Sequence, residues 1–178
     1  MPTLISGSTG VNKIQDGTIV AADMSGTLAD QNTPAFLGYS GNAAQGIPQN
    51  TWTKVTNATE QFDSDSCYTN GVFTPTTAGK YVLTGMVEYA QQDNNVGSYV
   101  AIYKNGARIA GGRWFLMNPL GGGGGENTTN QLSIIAPANG SSDYFSLYVY
   151  QGSGVRNVTN VFGIYTTHFS GYRLAGVS

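Results

Sequence analysis

The sequence predicts an all-β fold, a jelly-roll sandwich of two antiparallel sheets, preceded by an extended N-terminal arm. Three observations lead there. Short stretches alternate apolar and polar residues and are cut by Gly and Pro, the pattern of many short strands. No segment repeats its apolar residues at helical spacing over three turns. The first 33 residues contain no aromatic side chain, and Phe36 is the first in the chain.

The arm comes first. Within it Lys13 stands against Asp16, Asp23 and Asp30, whereas the rest of the chain balances its charges. Val11, Ile14, Ile19, Val20 and Leu28 are interspersed with glycine and show no sustained period. Such a segment buries too little apolar area to fold alone. These five residues are expected to anchor the chain on a partner or along an oligomer axis. The boundary is set between an arm, 1–33, and a head domain, 34–178.

In the head, Phe36–Tyr39 and Thr51–Val55 are predicted as short strands, and Gly71–Thr74 as another, stopped by Pro75. Lys80–Ala90 is longer. Alternation puts Tyr81, Leu83, Val87 and Tyr89 on one face and Val82, Met86 and Ala90 on the other. Ser98–Lys104 and Ala107–Phe115 flank Asn105-Gly106, a dipeptide that accepts positive φ and so favours a type I′ hairpin turn. Gln131–Ala136 is expected to end at Pro137. Asp143–Gln151 and Val161–Ala175 complete the set. Gly121–Gly125 lacks the Lys-Ser/Thr ending of a phosphate-binding loop and reads as a surface loop.

Composition excludes several function classes. Charged residues make up 10% of the chain, against about 25% in an average domain. The polar surface is therefore built from Asn, Thr, Ser, Gln and Gly. The net charge is −2 and no run of Lys or Arg occurs, which argues against nucleic-acid binding by phosphate neutralisation. No apolar stretch approaches the ~18 residues of a membrane span. The opening Met1-Pro2-Thr3-Leu4 lacks the basic region and apolar run of an export signal. The single Cys67 has no internal partner. Synthesis in a cytoplasm is the expectation.

The stretch 143–151 points beyond one chain. Phe145, Leu147 and Val149 form an apolar face suited to the interior. Tyr144, Tyr148 and Tyr150 form the opposite row, and tyrosine favours interfaces because it joins an apolar body to a hydrogen-bonding tip. Lys80–Ala90 is likewise apolar on both faces. Tyr144, Tyr148, Tyr150, Tyr81 and Tyr89 are therefore the expected contacts between subunits, the alternative being a sandwich covered by its own loops. Trp52, Tyr68 and Trp114 are candidate ligand contacts, since exposed rings stack on sugars.

No catalytic residue, cofactor or metal is assigned. His168, the lone histidine, has no motif around it for a nucleophile–base pair. Cys67 has acidic rather than basic neighbours, which do not favour a thiolate. Asp63, Asp65 and Glu60 offer fewer oxygens than calcium requires.

From Pro34 onward the chain resembles a complement component 1q-type domain, a trimeric jelly roll of the tumour necrosis factor kind. The resemblance rests on Pro34-Ala-Phe36, on Phe73, Gly79, Tyr81 and Leu83, on Val100-Ala-Ile-Tyr103-Lys-Asn-Gly106, and on Phe169-Ser-Gly171-Tyr-Arg-Leu174. Gly85 departs from it, standing where that family usually has Phe or Tyr. In the arm, the stretch from Gly10 to Asp23 is similar to N-terminal parts of tailed-bacteriophage fibre and head-decoration proteins. Together these imply a homotrimeric virion surface protein, of head or tail, made in the host cytoplasm. Its arm would hold capsid or tail proteins and its head would face the host surface. A stand-alone glycan- or receptor-binding module is the alternative.

Overall fold

The computed structural model describes residues 32–41, 44–56, 59–92, 97–115, 126–152, 156–159 and 165–175. The anchoring residues Val11, Ile14, Ile19, Val20 and Leu28 and the five-glycine loop lie outside them. The strands are β1 (Ala35–Tyr39), β2 (Gln45–Ile47), β3 (Thr53–Lys54), β4 (Thr59–Asp63), β5 (Tyr68–Thr69), β6 (Val72–Phe73) and β7 (Ala78–Gln92). They continue as β8 (Gly97–Lys104), β9 (Ala107–Phe115), β10 (Glu126–Asn139), β11 (Phe145–Gln151), β12 (Arg156–Thr159) and β13 (His168–Arg173). Among the described residues there is no helix.

Two antiparallel sheets result. The seven-stranded sheet runs β2-β12-β7-β13-β1-β4, with β10 along the other side of β7. The six-stranded sheet runs β5-β6-β11-β8-β9, with β3 also on β11. Between them lies one core. Phe36, Leu83 and Phe169 come from the first sheet, and Phe73, Ile102, Phe145, Leu147 and Val149 from the second, all fully buried. The alternation along Phe145–Gln151 therefore points its apolar face inward.

Gly85 is held to glycine by packing across the core. A Cβ there would lie 2.2 Å from Leu147 Cδ1 of the opposite sheet. Leu147 fills the space that a large residue at 85 would need.

The Asn105-Gly106 turn joins β8 and β9 with φ of 52° and 80°, as a type I′ turn requires. It is fastened from outside. Asn105 Nδ2 donates to Asp143 Oδ1 at 2.7 Å, and the Tyr144 N–H donates to Asn105 Oδ1 at 2.9 Å. Lys104 Nζ lies 2.9 Å from Asp143 Oδ2. The hydrogen bond from Asn105 and the Lys104 charge hold the Asp143 carboxyl below its ordinary value.

Several boundaries differ from expectation, two of them with a clear physical reason or a large shift. Strand β10 runs through Pro137 to Asn139, because beyond β7 it has no further paired neighbour. A proline without an N–H is tolerated on such an edge. The strand expected over 161–175 is His168–Arg173. The short strands β2, β4, β5 and β12 carry too little alternation to be seen in sequence.

Candidate functional site

The sandwich presents two broad outward faces, and alternation decides what each shows. On the seven-stranded sheet, pairing aligns three lateral rows. The first is Ile135, Val82, Tyr172 and Ala35. The second is Ser133, Thr84, Ser170, Leu37 and Phe62. The third is Gln131, Met86, His168, Tyr39 and Thr59. Apart from tyrosines, the rows hold one ionisable group, His168.

Six large hydrophobic side chains are exposed among the described residues, and four belong to this side: Ile135 at 59%, Tyr172 at 44%, Phe62 and Tyr165. Tyr165 packs edge-on against Tyr39 at 5.1 Å and donates to Gln61 Oε1 at 2.9 Å. With Leu37, Phe62, His168 and Tyr172 it borders a shallow apolar groove of about 420 Å³. His168 Nδ1–H donates to the Tyr165 carbonyl at 2.5 Å, a structural contact.

The six-stranded sheet is different. Its strands hold Lys54, Lys104, Arg108 and Arg113 and no Asp or Glu. Register places Tyr150 beside Tyr99 and Arg113, and Tyr148 beside Lys54 and Ala101. Trp52, just before β3, lies at the centre of the rings. It is 5.5 Å from Tyr150, 5.9 Å from Tyr103 and 6.2 Å from Tyr99. Tyr103 stacks on Tyr148 at 4.1 Å. Two guanidiniums lie over these rings, Arg108 over Trp52 and Arg113 over Tyr99, each 5.3 Å from the centroid. A cleft of about 430 Å³ opens between them, with Gly111 and Gly112 along its side.

The structure redistributes the expected site residues. Tyr148 and Tyr150 do stand on the outward face of their sheet, half-buried among the rings just described. Tyr144 precedes β11 and is exposed. Tyr81 and Tyr89 cannot contact another subunit, because both are fully buried within the chain. Their hydroxyls donate to backbone inside it, Tyr81 to Thr77 O at 2.6 Å and Tyr89 to Tyr99 O at 2.5 Å. Burial pushes the Tyr81 phenol up to about 12 and raises that of Tyr89 as well. The alternation that makes Leu83 and Val87 core residues makes these tyrosines core residues too.

Tyr68 is likewise no ligand contact. It is buried and stacked on Phe36 at 4.7 Å, its ring lying where a Cβ of Gly38 would be. Trp52 stays accessible in part. The Trp114 backbone pairs with Ser98, and its side chain lies outside the described residues. Sequence reasoning missed Tyr99, Tyr103, Arg108 and Arg113 on one face and Phe62, Ile135, Tyr165 and Tyr172 on the other.

Cys67 is buried, and its thiol donates to Asp63 Oδ1 at 3.3 Å. Burial, reinforced by the carboxylates of Asp63 and Asp65, pushes the thiol up to about 12, which leaves it a poor nucleophile. Asp63 also accepts from the Tyr68 N–H at 2.7 Å, so its oxygens serve the turn. Among the described residues no group of three or more His, Cys, Asp or Glu is placed to hold a metal.

No family model matches the sequence, and no curated protein matches it. Solved structures do. Eiger TNF from S. frugiperda superposes with a TM-score of 0.57 at 10% identity, covering 81% of this chain and 94% of that one. Murine APRIL at pH 5.0 gives 0.55 at 9% identity, covering 79% and 98%. At such identities the likeness is one of fold. The described residues form a TNF-like jelly roll of two antiparallel sheets.

Proposed function

We propose that this protein is a non-catalytic virion surface protein of a tailed bacteriophage, made in the host cytoplasm and assembled as a homotrimer. Its arm, residues 1–33, would hold capsid or tail proteins through Val11, Ile14, Ile19, Val20 and Leu28. Its jelly-roll head would stand outward. The observation that carries the assembly is the outward face of the seven-stranded sheet, which exposes Phe62, Ile135, Tyr165 and Tyr172 around three central rows with no Lys, Arg, Asp or Glu, the charges of Lys80 and Glu88 falling on the flanking rows. Such a face meets another copy of the chain without like-charge repulsion. Each of these side chains is already about half covered within the chain, so covering the rest contributes on the order of half the ~1.5–3 kcal/mol of complete burial. With the neighbouring Leu37, Val82 and Met86, the face reaches the lower part of an association cost of about 4–15 kcal/mol. The arm's role is supported by its resemblance to fibre and decoration proteins.

Deleting residues 1–33 tests this. The truncated protein should remain an oligomer and should no longer sediment with virus particles. Continued sedimentation would refute the anchoring role.

A second reading is favoured by the ring cluster around Trp52. The outward face of the six-stranded sheet offers aromatic surface and positive charge together, which suits a ligand on the host surface. It is compatible with the first, since the two faces are separate.

A further inference from the structure

Three asparagines of the chain are followed by glycine: Asn70, Asn105 and Asn139. Glycine has no side chain to shield its backbone nitrogen, so that nitrogen approaches the preceding asparagine's side-chain carbonyl more easily than any other residue's does. Local sequence makes the three pairs alike, and the fold makes them different.

Asn70-Gly71 joins β5 to β6 with φ of 53° and 76°, and Asn105-Gly106 joins β8 to β9 with φ of 52° and 80°. Both are two-residue hairpin turns with matching φ, so the difference between them lies in the side chains. Asn105 is tied at both ends. Its Nδ2 donates to Asp143 Oδ1 at 2.7 Å, and its Oδ1 accepts from the Tyr144 N–H at 2.9 Å. Asn139 is tied more firmly still. Its Oδ1 accepts from the N–H groups of Ser141, Ser142 and Asp143, each at 3.0 Å, and its Nδ2 donates to Ser142 Oγ at 2.8 Å. Gly140 is also crowded, since a Cβ there would lie 2.3 Å from the Ala78 nitrogen. Asn70 is exposed, and among the described residues no hydrogen bond holds either end of its amide. The contact it makes is through its main-chain oxygen, which accepts from Lys54 Nζ at 3.1 Å.

We propose that Asn70 is a site of spontaneous deamidation, selected by the fold from three equivalent dipeptides. The Gly71 nitrogen attacks Asn70 Cγ and gives up its proton, the Cγ–Nδ2 bond breaks, and ammonia leaves a succinimide ring. Water then opens the ring at either carbonyl. One opening gives aspartate. The other gives isoaspartate, in which the main chain runs through the side-chain carbon. Water is the one reagent consumed, and nothing is oxidised or reduced. Aspartate adds a negative charge close to the Lys54 ammonium. Isoaspartate lengthens by one atom a turn that holds Tyr68 opposite Phe73, both of them stacked on Phe36 in the core, and so loosens the β5–β6 hairpin. The turn belongs to the six-stranded sheet, not to the face assigned above to assembly.

The test incubates the native full-length protein in heavy-oxygen water at mildly alkaline pH, then digests it and maps the peptides by mass spectrometry. The label separates conversion in the intact fold from conversion during digestion. Asn70 is expected to convert about tenfold or more faster than Asn105 or Asn139, each of which must first give up at least two hydrogen bonds. In urea-unfolded protein the three should convert at similar rates. Asp143→Ala cuts one tether of Asn105 and should speed conversion there severalfold while leaving that at Asn70 unchanged. Equal native rates at Asn70 and Asn105, or conversion at Asn139 first, would overturn the proposal. So would an Asn70 that stays intact in the native protein while converting in urea. The native-against-unfolded comparison needs no variant, so it decides the matter even where Asp143→Ala folds poorly.

Discussion

The two outward faces arise from the same alternation, yet they leave different chemistry exposed. On the seven-stranded sheet the outward rows carry Ile135, Tyr172, Phe62 and Leu37 with one histidine. On the six-stranded sheet the exposed rings are already engaged with one another, and the charges above them are all positive. The first has apolar area with no partner inside the chain. The second has satisfied its rings internally and carries a guanidinium over each of two of them. An uncharged apolar face suits another copy of itself, whereas a cationic one repels its own kind and suits an acid. Tyrosine content alone does not separate the two, because a tyrosine row covered by its neighbours is no longer an apolar surface seeking a partner.

The sharpest way to break this contrast is to charge the seven-stranded face. Ile135→Asp combined with Tyr172→Asp should convert the oligomer to single chains in sedimentation velocity, because a carboxylate without a partner is costly in an apolar contact. The next largest effect belongs to the other face. Trp52→Ala removes the plate on which Arg108, Tyr103 and Tyr150 rest. For a half-buried tryptophan the expected loss is about 2 kcal/mol in urea unfolding at fixed protein concentration, with the oligomer unchanged.

Asp143→Asn should have a smaller effect, confined to the six-stranded side, where Asp143 ties down the Asn105-Gly106 turn. Its carboxyl is held below the ordinary value in the folded protein. The stability it contributes is therefore present above the unfolded aspartate pKa of about 3.9 and is lost as pH falls through the lower folded value. Thermal melts of wild type and variant should differ at pH 7 by a few degrees, and the gap should close in strong acid. Cys67 provides the smallest expected effect. It lies in the core beneath both faces, so neither set of surface substitutions should speed its modification by a thiol reagent beyond what the loss of global stability accounts for. Faster labelling would mean that a variant had disturbed the core rather than a face.

Much of the fold was legible because it rests on local physics. Asn105-Gly106 declared its turn, and the apolar faces of Lys80–Ala90 and Asp143–Gln151 were set by period alone. The site was less legible because it rests on register between distant strands. Tyr150 meets Tyr99, and Ile135 shares a row with Tyr172 through Val82, and no local pattern states these pairings. Tyr81 and Tyr89 show the limit from the other side. Tyrosine suggests an interface, but their phase with Leu83 and Val87 already placed them in the core. Tyr68 was misplaced because nothing in its own segment reveals Gly38 beneath its ring.

The measurement that tests the central claim most directly is the native mass of the full-length protein by light scattering. The account predicts a mass near three times the 18.7 kDa chain, falling to that of one chain when Ile135 and Tyr172 are both replaced by Asp. A wild-type protein that runs as a single chain at every concentration would contradict it, and would leave the apolar face of the seven-stranded sheet without the partner assigned to it here.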